Sequence, residues 1–373
     1  MKTHAILTAL LLAACGDDLH ATIDAAPTAD AAAPHPTAFV VAGDFVAGHP
    51  GILSKLDLVT MTVTQHVGPA GAVGDDPMLR KLGTELFIVN RADGNSITIL
   101  DATTLALVEQ LGTGAGTNPQ DVAVVGQKLY VPTFAGKGLV VLTRGTTTST
   151  TIDLADGQTD GNPDCVSAVA AGSDVYVACG HLDASFMPRG MGKVYVIDTA
   201  TDAIRTTLTM QHANPFGVFE RSPATSRLAG DLVIATDPFG TGCVERIAIG
   251  TAPASNGCVV TDAQLTGYAS RIDFQTLADS SVMMMMAVAL SDFMNANLQG
   301  YDTSSSSLWT NPLSPATEVV ADAVACPNNT IVIADHHKTA ANGLRVYVNM
   351  TETTTAPLPV GLDPQASHGL VCF

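Results

Sequence analysis

Residues 162–177 read Asn162-Pro163-Asp164-Cys165-Val166-Ser167-Ala168-Val169-Ala170-Ala171-Gly172-Ser173-Asp174-Val175-Tyr176-Val177. An Asn-Pro step leads into an apolar run, a Gly-containing turn and a second apolar run. Short apolar runs punctuated by Pro and Gly in this way read as strand, turn, strand. The phrase recurs as Asp76-Pro77 with Leu86-Phe87-Ile88-Val89, as Asn118-Pro119 with Leu129-Tyr130-Val131, and as Asn214-Pro215 with Leu232-Val233-Ile234. A last Asp363-Pro364 stands close to the C-terminus. The spacing of roughly 42 to 53 residues is the period of propeller blades.

Working outward, inner strands start near Asp76, Asn118, Asn162, Asn214, Gly267, Thr317 and Asp363. The fifth and sixth starts lack the Asn/Asp-Pro step, but strand-like runs follow them at Ser270–Phe274 and Glu318–Cys326. Third strands read at Ser96–Leu100, Gly138–Leu142, Lys193–Ile197 and Leu344–Val348. The two ends complement each other. Residues 37–67 supply three strands (Thr37–Ala42, Gly51–Leu58 and Thr62–Val67) without a good inner one, and residues 364–373 supply a single strand. The C-terminal strand is therefore expected to complete the first blade, closing the ring and removing the edges an open array would expose. The composition agrees with an all-β chain: 46% hydrophobic residues, only 14% charged, and much Thr, Val, Ala and Gly.

Phrases such as Val194-Tyr195-Val196-Ile197-Asp198-Thr199 and Ile97-Thr98-Ile99-Leu100-Asp101 resemble the repeats of YVTN-type seven-bladed β-propellers, a resemblance that covers about residues 37–373. It implies blade geometry and carries no catalytic residue. The family includes lactonase-like enzymes as well as binding and scaffold proteins, so the fold alone does not choose between them.

The N-terminus supplies an address. Lys2 precedes an apolar stretch from Ala5 to Ala14, too short to span a bilayer, and then Cys15. Leu12-Ala13-Ala14-Cys15 resembles a bacterial lipobox, which implies a signal peptide over 1–14 and a lipid on Cys15 as the first mature residue. Residues 15–36, rich in Ala, Asp, Thr and Pro, then read as a tether. The expected setting is the extracytoplasmic side of the cell envelope, anchored by lipid, with inner or outer membrane left open. Six further cysteines permit disulfides there. Cys165 and Cys179 flank one hairpin turn, Cys243 and Cys258 flank another, and Cys326 and Cys372 remain.

A net charge of −18 argues against nucleic acid as a partner. In a propeller, the loop leading into the inner strand and the loop leaving the second strand share a face. Aligning second strands puts Asp44, Asp237, Asp292, Asp335, His336 and His181 there, with Asp75, Asp76, Asn118, Asp160, Asp164 and Asn214 ahead of the inner strands. This predicts an acidic, His-containing mouth suited to Ca²⁺ or another divalent cation. Turn formation is the alternative use of the same acids. The run Met283–Met286 lies in a strand, where alternate side chains diverge, so it is expected to pack between blades. No Gly-x-Ser-x-Gly, His-Glu-x-x-His or P-loop motif occurs, and Trp309 is the only Trp. The reading is a monomeric, membrane-anchored binding or scaffold module for a protein, glycan or small ligand. The alternative is a metal-dependent lactonase with its site at the mouth.

Overall fold

Seven four-stranded antiparallel sheets succeed one another along the chain in the computed structural model, which describes residues 35–156, 160–238, 241–290, 295–314, 319–336, 342–365 and 368–373. Blade 2 is typical, with strands Pro77–Leu82, Glu85–Asn90, Ser96–Asp101 and Leu107–Gly112 from the inside outward. Blade 1 is assembled from both ends of the domain. Leu370–Cys372 pairs antiparallel with Thr37–Ala42, which pairs with Ile52–Asp57 and then Thr62–Thr64. The fold is a seven-bladed β-propeller closed by its C-terminal strand.

Period-two side-chain alternation builds the core. In the second strand of blade 2, Leu86 and Ile88 pack toward blade 1, whereas Phe87 and Val89 pack toward blade 3. The same division holds at every seam, giving seven apolar clusters among the described residues, one for each pair of neighbouring blades. The methionine run divides as its spacing predicts: Met284 and Met286 face blade 5, and Met283 and Met285 face blade 7. Each fully buried apolar side chain of this size contributes about 1.5–3 kcal/mol. Exposure rises toward the rim, so Ala203–Thr209 has no buried residue. The region 260–313, irregular as a sequence, carries the longest pairing, Gly267–Thr276 with Val282–Leu290.

The Asn/Asp-Pro step has a physical basis. The carbonyls of Asp76, Asn118 and Asn214 accept hydrogen bonds from the N–H of Arg91, Phe134 and Asp237, tying the start of each inner strand to the end of its second strand. Asn118 Oδ1 also accepts from Ala92 N of the preceding blade at 2.9 Å, and Asn162 Oδ1 from Gly136 N at 2.9 Å. Asn118 and Asn214 take φ of 48° and 44°, a left-handed conformation that Asn tolerates better than most residues. In blade 3 the inner pairing starts at Pro119, opposite Thr133, and Gln120 N donates to the Pro132 carbonyl at 2.9 Å. It is interrupted before Ala123, because the N–H of Val122 is taken by the Asp121 carboxylate.

Three disulfides join Cys165 to Cys179, Cys243 to Cys258 and Cys326 to Cys372, matching the pairing suggested by the hairpins. The last links the inner strands of blades 7 and 1 across the closure. Bridges of this kind persist in oxidising compartments. No helix among the described residues is long and apolar enough to cross a membrane.

Candidate functional site: a polar ring beneath an apolar mouth

Inner strands place one side of each blade on the central channel, and polar residues occupy the middle of it. Arg80 holds Asp121 through two parallel hydrogen bonds of 2.7 and 2.8 Å. Asp121 accepts from Ser167 Oγ (2.8 Å), whose oxygen accepts from Phe219 N (2.8 Å). The neighbouring Glu220 accepts from Arg271 Nη1 (2.5 Å), and Arg271 Nε donates to Asp322 (2.9 Å). Asp322 accepts from Leu370 N (2.9 Å), and the carbonyl of His368 accepts from Leu79 N (2.7 Å), next to Arg80. The hydrogen bonds thus pass through all seven blades and return to their start. Arg80 also crosses the ring to Glu220 at 3.3 Å.

The electrostatics follow from burial. Coulombic attraction to Asp121, reinforced by its hydrogen bonds and by Glu220, outweighs burial and raises Arg80 above its usual range. Arg271 is likewise raised, by Glu220, Asp322 and Asp273 against its own burial. Burial pushes the Asp322 and Asp273 carboxyls up, opposed by Arg271. His368 is held well below its ordinary value by burial and then by Arg271 and Arg80, so it is a neutral acceptor for Arg271 Nη1 at 3.0 Å. Charges so enclosed require partners, and here each has one.

On the face where inner strands start and second strands end lies a cavity of 460 Å³. Its walls are Phe45, Phe134, Phe186, Phe216, Met78 and Leu182, with further apolar residues and three amides. Phe134 and Phe186 stack with centroids 6.0 Å apart, and Phe186 is 63% exposed. Met78 and Val218 line this cavity. Two residues on, Arg80 and Glu220 line a second cavity of 340 Å³, so the polar ring lies between the two. Among the described residues of the lining, Arg91 is the one cation. Asp76 Oδ1 accepts from Arg91 Nη2 (2.5 Å) and from Gln365 Nε2 (2.7 Å). Held this way, Arg91 Nε and Gln365 Oε1 are buried without a partner.

The acids and histidines expected at the mouth are mostly engaged in their own loops. Asp44 binds His49 at 2.9 Å and accepts from Val46 N, and these bonds hold its carboxyl below the usual range. Asp237 accepts from the Thr241 hydroxyl. Asp335 is buried and takes Arg345 Nε at 2.7 Å, away from the channel. His336 lies 3.0 Å from Asp363. His181 is buried with Nε2 2.9 Å from the Tyr195 hydroxyl, and burial holds it down to about 4. Asp292 lies outside the described residues. Asp57, Asp101, Asp198 and Asp302, which end third strands, accept backbone N–H groups of their turns. Among the described residues, one group of three His, Cys, Asp or Glu side chains has its ligand atoms close enough for a single ion: His212, Cys243 and Cys258.

What sequence reasoning missed is the ring. A signal was present: each repeat carries a polar residue three to six positions after its start, from Asp121 after Asn118 to Glu220 after Asn214. Arg91 and Phe134 follow the second strands of blades 2 and 3, at positions close to those that Asp44 and Asp237 hold in blades 1 and 5.

No family model and no curated protein matches the chain. Solved structures do. A protein from Lactobacillus plantarum aligns with a TM-score of 0.60 at 14% identity, covering 91% of this chain and 100% of its own. A protein provisionally described as a 6-phosphogluconolactonase, from Bacteroides uniformis, aligns at 0.59 and 12% identity with coverage of 91% and 100%. A quinoprotein alcohol dehydrogenase-like protein from Bacteroides thetaiotaomicron aligns at 0.55 and 11%, covering 91% and 78%. At these identities the likeness is one of fold alone.

Proposed function

We propose that the protein is a lipid-anchored, extracytoplasmic binding module that takes a small, largely apolar ligand into the mouth of its propeller. The observation that carries this reading is the 460 Å³ mouth cavity, walled by four phenylalanines and backed by the polar ring. Its size and apolar lining are those of small-molecule sites. Arg91 and the amides Gln120, Asn214 and Gln365 give the wall its polar part. A ligand with a flat aromatic body would stack on Phe134 and Phe186. The lipobox-like Leu12-Ala13-Ala14-Cys15 supports the anchor, and the three disulfides support an oxidising location.

Anilinonaphthalene sulfonate, an aromatic anion, is the probe. Saturable fluorescence enhancement at one site per chain is expected, weakened roughly tenfold or more by F134A/F186A, about the loss of one well-packed aromatic contact. Binding that is unchanged in that variant overturns the assignment of the site. The lactonase alternative draws on the provisional description of one structural neighbour. The described lining of the mouth contains no Asp, Glu or His to serve as base or metal ligand, which favours binding over hydrolysis. Lactone turnover abolished by a mouth substitution would reverse that preference.

A further inference from the structure

In blade 5, strands Cys243–Ala248 and Ala254–Thr261 run side by side at the outer half of the sheet, and their pairing slips twice. The disulfide Cys243–Cys258 spans the first slip. His212, from the loop ahead of the inner strand of the same blade, stands over it. Its Nδ1 is 3.4 Å from Cys243 Sγ and 3.7 Å from Cys258 Sγ. The loop is held by Glu245, whose buried carboxylate accepts from Gln211 N at 2.9 Å, His212 N at 3.2 Å and Ser255 Oγ at 2.6 Å. Glu245 Oε2 also lies 3.5 Å from His212 Nδ1, so this carboxylate orients the imidazole as well as the backbone that leads into it, independently of the sulfurs.

We propose that His212, Cys243 and Cys258 form a thiol-gated site for Zn²⁺ or a similarly thiophilic divalent ion, closed while the disulfide stands and opened by its reduction. The distances carry this inference. A tetrahedral ion with metal–sulfur bonds of about 2.3 Å and metal–nitrogen bonds of about 2.0–2.1 Å separates its nitrogen and sulfur ligands by about 3.5 Å. His212 already holds that separation from both sulfurs, so only the two sulfurs need to part. The third protein ligand leaves a fourth position for water or an incoming donor.

The gate is selective. Cys165, Cys179, Cys326 and Cys372 are all buried, whereas Cys258 is exposed at the outer strand. A thiolate from solution therefore reaches Cys258 before either other bridge. A dithiol reductant supplies two electrons and two protons. The Cys243–Cys258 bond breaks to two thiols, and the reductant becomes a disulfide. Binding of the ion then releases the two thiol protons, with no further electron transfer. Sheet pairing on both sides of the slip, such as Cys243 with Thr261 and Ala248 with Ala254, holds the strands while the bridge is open. The site stands apart from the mouth cavity, and this inference does not rest on the proposed ligand.

The test uses the whole folded protein, a limiting dithiol and Co²⁺ as the spectroscopic probe. Alkylation and mass spectrometry identify the opened bridge, and circular dichroism reports folding. Expected are one Co²⁺ per chain with thiolate charge-transfer absorption after opening of Cys243–Cys258, none before it, and bleaching on addition of Zn²⁺. H212A, which leaves the bridge intact in the resting protein, is expected to lose the tight cobalt spectrum after reduction. Equal binding by H212A, binding without reduction, prior opening of another bridge, or unfolding when Cys243–Cys258 opens would each overturn the proposal.

Discussion

Arg80 and Glu220 are 140 residues apart in the chain and 3.3 Å apart in the channel. Between them runs a closed circuit of hydrogen bonds that uses every blade, so the centre of this propeller is a structural element in its own right. The ring is held between its blades by apolar seams and at its axis by paired charges.

Replacing Arg271 with Met is expected to cost about 3–5 kcal/mol, because Asp322 is left buried without its cation and Glu220 keeps only the longer contact to Arg80. Urea unfolding followed by circular dichroism measures it. Adding E220Q and D322N to the same variant should recover part of the loss. A triple variant no more stable than R271M would show that the destabilisation comes from lost packing and not from the orphaned charges.

The closure bridge should matter more than the hairpin bridge. Cys326–Cys372 closes a chain separation of 46 residues and Cys165–Cys179 one of 14. Loop entropy then assigns about 4 kcal/mol to the first and about 3 kcal/mol to the second. Paired Cys→Ala variants compared in urea should rank in that order, and the reverse ranking would count against closure by the C-terminal strand as the constrained step.

Stability should respond to pH through Asp164. Burial raises its carboxyl from 3.8 to about 6, although it accepts a hydrogen bond from Leu182 N. A group with a raised folded value contributes stability that is complete below its unfolded value and is lost as pH climbs through the folded one. Its contribution therefore falls between about pH 4 and pH 6. Asn at this position stays neutral, so D164N should gain melting temperature relative to the parent protein at pH 7 and much less at pH 4. An equal difference at both pH values would sink this account.

Replacing Cys15 with Ser should abolish incorporation of labelled fatty acid and move the protein from the membrane to the soluble fraction. Retention of both label and membrane association in C15S would remove the lipid anchor from the proposed function.

The legibility of this chain is uneven for physical reasons. Strand positions were readable because each repeat restates the same local preferences: Asn before Pro, a period-two apolar run, a Gly turn. The disulfides at Cys165–Cys179 and Cys243–Cys258 were readable because hairpins bring cross-strand partners together locally. The Met run was readable because alternation alone sends Met284 and Met286 one way and Met283 and Met285 the other. At the mouth, residue type alone did not show which side chains face the cavity. Asp44, Asp237, Asp335 and His336 satisfy themselves within a few ångströms, and that leaves Phe45, Phe134 and Phe186 to line the cavity.

By itself, then, the recurring Asn/Asp-Pro phrase of residues 162–177 and its relatives determined a propeller-like repeat and the need for the C-terminal strand to finish the first blade, and the structure fixes the number of blades at seven. Only the tertiary structure decided which polar residues meet. Arg80, Asp121, Ser167, Glu220, Arg271, Asp322 and His368 lie in different repeats, and no local preference links them. Closing the ring brings them to one axis, where low dielectric makes an unpaired charge costly.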